Sequence, residues 1–187
     1  MNNMSEHTNP LSANSAQNSA CDVLRTKDVN FETLCLLLYR YKLQLQQVAG
    51  QEPIPGSYWG EEEAGLIGNR LLVRTDTPLH SILHEACHYI CMDDHRRQGI
   101  HTDAGGDYDE ENAVCYLQIL LADHIGDPDC AIDRQQMLTD MDRWGYTFRL
   151  GSARSWFEQD ADDARATLYG WGLIDKQQNP TFQLRRT

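Results

Sequence analysis

Glycine and proline cut this chain into segments of helical length, and that punctuation restricts its fold more than any other feature. Gly50, the pair Pro53 and Pro55, the turn at Gly68-Asn69, Gly99, the pair Gly105-Gly106, Gly126, Gly145 and Gly170 each interrupt a pattern of apolar residues. Residues 28–48 carry apolar side chains at 31, 34, 36, 37, 38, 41, 43 and 45, which predicts a largely buried helix ending at Gly50. Residues 64–77 read as two short strands turning at Gly68-Asn69, with Leu71, Leu72 and Val73 in the second. Thr77 as N-cap and Pro78 in the first turn predict a helix that runs to 96 or 97. Further helices are predicted over 108–124, over 127–144, and from 155, where Ser155 and Glu158 fit a capping box, to just before Gly170. Residues 145–151 offer one more strand and 171–186 a short hairpin. The expected fold class is α+β, mainly helical with a small sheet.

The chain has 187 residues, a normal size for a single domain. Residues 1–20 are polar and rich in Asn and Ser, which predicts a disordered tail ahead of one domain over 21–187. That start has neither a positive segment nor an apolar one of the secretory kind, so the expected compartment is the cytoplasm. No apolar run reaches the roughly 18 residues that span a bilayer. Acidic residues number 28 against 16 basic, for a net charge of -12, and no basic block exists. Nucleic acid and anionic membrane surfaces are therefore unexpected partners. Six cysteines with no C-x-x-C spacing sit mostly in apolar helical stretches and read as packed thiols.

The chemistry concentrates in "SILHEACHYI", residues 81–90, which contains the pattern H-E-x-x-H. His84 and His88 stand four apart, so on a helix their imidazoles lie one above the other and can reach one metal ion. Glu85 projects about 100° round the axis, beside such an ion, where it can take a proton from water. A hydrolytic zinc site needs three protein ligands and an open position. The next predicted helix opens "DYDEENAV", and its carboxylates Asp107, Asp109, Glu110 and Glu111 are all candidates for the third ligand. The same acids also suit the first turn of any helix. His80 extends the histidine stripe but stands roughly 12 Å along the axis from residue 88, too far to share a ligand shell easily. Cys87 and Cys91 read as core residues, and Tyr108, His95 and His101 as candidate oxyanion donors.

The segment from 65 to 122 resembles the gluzincin metallopeptidases, most closely the ImmA/IrrE-like family and the minimal gluzincins. The likeness lies in the order strand, H-E-x-x-H helix, loop, and a helix opening with a ligand Glu. In that pattern a small residue follows the ligand by three positions and a Leu-Leu pair by about ten. Here Ala113 and Leu120-Leu121 stand at those distances from Glu110, which favours Glu110 over Glu111. Val114 departs from the Asn or Asp frequent at its position, so a partner for a metal-bound imidazole must come from elsewhere. The resemblance implies a zincin-like fold, Zn2+ held by His84, His88 and Glu110, and Glu85 as general base in peptide-bond hydrolysis. It also implies a peptide or protein substrate, which would lie extended along an edge strand near residues 70–75. The alternatives are a zinc-binding but non-proteolytic regulatory or interaction domain, and a helical interaction domain without metal. The sequence carries no signal for an oligomeric state.

Overall fold

The structure, a computed structural model, describes residues 23–58, 60–127, 130 and 132–186. The tail expected over 1–20 lies outside these residues. The described residues form seven α-helices and a three-stranded sheet, so the architecture is α+β and mainly helical. In chain order the elements are α1 (Phe31–Tyr39), β1 (Gln44–Gln47), β2 (Gly65–Ile67), β3 (Arg70–Val73) and α2 (Leu79–Cys91). They continue with α3 (Asp94–Gly99), α4 (Tyr108–Ala122), α5 (Arg134–Trp144), α6 (Ala153–Gln159) and α7 (Asp162–Gly170). Among the described residues no helix is long and apolar enough to cross a membrane.

Helix α4 is the centre of the molecule. Residues 113 to 122 are buried on every side, because α2, α5 and α7 all pack against it. A helix that is apolar all round belongs in a core. Helix α2 is nearly as enclosed, with Leu79, Ile82, Leu83, Ala86, Cys87 and Ile90 all inaccessible to solvent. The sheet flanks this pair in the order β1-β3-β2, with β3 parallel to β1 and antiparallel to β2. Residues 70–73 are therefore the middle strand and cannot serve as an edge for a substrate. The outer side of β2 is also engaged: Ile67 bridges His101, and Thr102 N donates to Leu66 O at 3.0 Å.

Several boundaries differ from the expected ones, each for a local reason. The helix predicted over 28–48 ends at Tyr39, where Lys42 adopts φ 63° and the chain reverses into β1. Leu43 and Leu45 satisfied the helical count, yet their alternation is that of a strand. Met92 is extended (ψ 153°) and the Asp93 carboxylate accepts from Arg96 N at 2.8 Å, so the helix predicted to reach 96 or 97 is α2 followed by α3. Pro78, not Thr77, is the N-cap of α2, while the Thr77 hydroxyl accepts from Arg74 N at 2.9 Å. The helix expected from Ser155 begins two residues earlier, capped by Ser152, and breaks at 160–161 into α6 and α7. Residues 145–151 form no strand, and 171–186 hold only an isolated bridge between Ile174 and Pro180.

Candidate metal centre

His84 and His88 lie one turn apart on α2, on the side that faces α4 and an open cleft. Their Nε2 atoms stand 3.1 Å apart and their rings meet edge to face. His84 Nδ1 lies 2.8 Å from Gln118 Oε1 on α4. A carbonyl oxygen only accepts, so Nδ1 carries the proton and Nε2 presents its lone pair into the cleft. Gln118 itself is inaccessible to solvent, and its amide nitrogen reaches His80 O at 3.5 Å. It is the partner that Val114 could not provide.

The carboxylate that joins the two histidines is Glu111, not the expected Glu110. Glu111 places one oxygen 3.5 Å from His88 Nε2 and the other 3.9 Å from His84 Nε2. One ligand atom from each of His84, His88 and Glu111 lies within 4.8 Å of the other two, so the three could hold a metal ion. Glu110, one residue earlier on α4, turns away. Arg96 Nη1 donates to both of its oxygens at 2.7 Å, and Arg185 Nη1 lies 3.3 Å from Oε2. Asp107 is the N-cap of α4, accepting from Glu110 N at 2.9 Å, and Asp109 is exposed. Gly106 closes over Glu110 so tightly that an added Cβ would lie 2.5 Å from its carboxylate.

The electrostatics suit a cation. Burial holds His84 and His88 below the ordinary imidazole range, so both are neutral near pH 7, the form that binds metals. Burial also pushes the Glu111 carboxyl up. Glu85 is pushed up to about 8, first by burial and then by the carboxylates of Glu63, Glu111 and Asp103. Two neutral imidazoles and a carboxylate facing open space form the donor set of a divalent first-row ion with room for a further ligand. The residues present therefore fit such an ion.

The site opens into a cleft of two cavities that share His84, Glu111 and Tyr146. One, of about 520 Å³, is lined by Glu85, His88 and Asp103 among others. The other, of about 390 Å³, has aromatic walls from Tyr108, Phe148 and Trp156. Of the remaining candidates, His80 stays outside the ligand set. It is buried between Trp144 and Tyr146, with Nδ1 3.4 Å from the Tyr146 hydroxyl. Cys87 and Cys91 are inaccessible core thiols, and Cys35, Cys115 and Cys130 are also free. Tyr108 lines the second cavity, whereas His95 and His101 line neither.

Two site residues escaped the sequence reading. Tyr146 falls in the segment 145–151, where the expected strand does not form, and its ring centroid stands 5.8 Å from that of His84. Apart from the Tyr116 hydroxyl, Gln118 is the one polar side chain in the apolar run 113–122, and it stands seven positions after Glu111 on the same helical face. That spacing was a readable sign that Glu111, not Glu110, faces α2. Set against known protein families, curated proteins and solved structures, the chain matches none, so the likeness to gluzincins rests on the cluster of His84, His88 and Glu111 alone.

Proposed function

We propose that this chain is a zinc-dependent peptide hydrolase of gluzincin type. The observation that carries the reading is the convergence of His84, His88 and Glu111 in a cleft that Glu85 also lines. A zinc ion held by those three side chains would supply Lewis acidity, bringing water towards a nucleophile near neutral pH and polarising a peptide carbonyl. Gln118 fixes the tautomer and the ring plane of His84. Glu85 stands next to a ligand on α2, and a divalent charge at the ligands would offset the carboxylates that push its pKa up. Glu85 then accepts a proton from water and returns it to the leaving amine. Since β3 is an inner strand, the peptide runs through the two cavities that meet at Tyr146 rather than along residues 70–75.

The test is metal analysis of the purified protein beside cleavage of an unfolded protein substrate. Wild type is expected to hold one equivalent of zinc and to lose cleavage to a chelator. Glu85→Gln is expected to keep the zinc and lose cleavage by about 100-fold or more. Zinc at one equivalent with no cleavage by wild type would leave a metal-binding, non-proteolytic domain, and absence of metal binding would remove both readings.

A further inference from the structure

We propose that the Glu63 side of the cleft binds a cationic group of the substrate, an ammonium or guanidinium carried by the peptide. This rests on the peptidase reading above. The larger cavity is lined by four carboxylates, Glu63, Glu85, Asp103 and Glu111, and by no Lys or Arg. A divalent ion at the histidines balances two of those charges, and Glu85 and Glu111 are the two beside it. Glu63 and Asp103 are left over. Among the described residues neither is ion-paired: Glu63 interacts with Trp144, and Asp103 accepts only from Gly105 N at 3.1 Å. The neighbouring Glu62, by contrast, is taken by Arg25 at 2.7 Å. Burial and the adjacent Glu61 and Glu62 push the Glu63 carboxyl up, which is the condition of a carboxylate lacking a counter-charge.

A second observation comes from the same wall. His80 lines this cavity and is only 1% exposed, yet its Nε2 has no hydrogen-bond partner. A buried polar atom without a partner is costly; with the Nδ1 proton directed to the Tyr146 oxygen, Nε2 is an acceptor, and a guest N–H that entered beside it would satisfy it. Trp144 and Tyr58 complete the wall with aromatic surface, which attracts a cation as the carboxylates do. Carboxylates, an unsatisfied imidazole nitrogen and two aromatic rings around one space suit a positively charged guest and repel an acidic one.

The experiment measures calorimetric binding of amino-acid and dipeptide hydroxamates to the zinc-loaded full chain at low salt. The hydroxamate anchors on the metal, so no turnover is needed. Side chains are lysine, norleucine and glutamate, each compound with a free and an acetylated amino terminus. The lysine compounds are expected to bind roughly tenfold tighter than norleucine, with glutamate weakest. In Glu63→Gln and Asp103→Asn that preference should fall below about threefold, while zinc content and norleucine affinity stay as in wild type. A lysine preference within the acetylated series assigns the site to a side-chain cation, whereas free-amine compounds that outbind their acetylated forms whatever the side chain assign it to the peptide's α-ammonium. Equal binding of all compounds overturns this proposal and leaves the peptidase reading standing. Failure of every hydroxamate to bind overturns both.

Discussion

Glu110 and Glu111 are adjacent carboxylates with opposite roles, because consecutive residues of a helix point about 100° apart. If Glu111 faces the histidines, Glu110 must face elsewhere, and it faces two guanidinium groups. Glu111→Gln is expected to weaken zinc binding by about 100-fold or more, and Gln118→Ala by about 10- to 100-fold. Glu110→Gln should leave zinc affinity within about threefold of wild type. Competition against a chelator of known affinity checks all three, and the reverse order for the two glutamates would sink the assignment. At this scale the histidines were legible and the carboxylate that joins them was not. The i, i+4 spacing places two imidazoles together in any helix. The three acids in the first turn of α4 differ only in the helix's rotation, which packing against α2 sets. Ala113 and Leu120-Leu121 pointed to Glu110, whereas Gln118 pointed to Glu111.

Among the elements, α3 and the loop before α4 act through one side chain. Besides gripping Glu110, Arg96 donates to Ala104 O at 3.1 Å and Gly105 O at 2.8 Å. One guanidinium thus ties α3, the cleft-lining loop and the first turn of α4. Arg96→Met leaves the buried Glu110 with Arg185 alone and is expected to lower stability by about 3 kcal/mol. Gly106→Ala should also destabilise, since its Cβ would meet the Glu110 carboxylate. Urea denaturation measures both, and a variant as stable as wild type would refute the corresponding contact. Helices α2 and α4 were readable from the sequence because long apolar periodicity leaves few other folds. The β1 strand was not, since Tyr41, Leu43 and Leu45 extend the count of α1 without a break. The α2–α3 boundary was hidden for a different reason: Asp93 is unremarkable within a helix until its side chain is seen capping Arg96 N.

For the molecule as a whole, burying neutral histidines couples stability to pH. Burial, helped by His84 and Arg25, holds His80 down to about 3 from an ordinary value of 6.5. A folded value below the unfolded one means that stability is fully present above 6.5 and declines as pH falls towards 3. Within that window the slope from His80 alone approaches about 1.4 kcal/mol per pH unit. His84 and His88 are lowered by the same cause and add to it. The metal-free protein should therefore lose stability steeply between pH 6 and 4.5, and His80→Gln should lose it with a shallower slope. Urea midpoints at several pH values decide this, and identical slopes would mean that His80 is not held neutral.

The ion pair between Arg185 and Glu110 joins parts of the chain that are made at different times. Arg185 also donates to Cys91 O, at the end of the histidine helix, across a separation of 94 residues. Its backbone N donates to Ile90 O at 3.0 Å, and its guanidinium stacks on Trp171. During synthesis both histidines and both glutamates leave the ribosome long before Arg185 does. His84, His88 and Glu111 therefore emerge before Glu110 gains the second of its two partners. The carboxylate that faces away from the histidines is thus held in part by a residue translated 75 positions later.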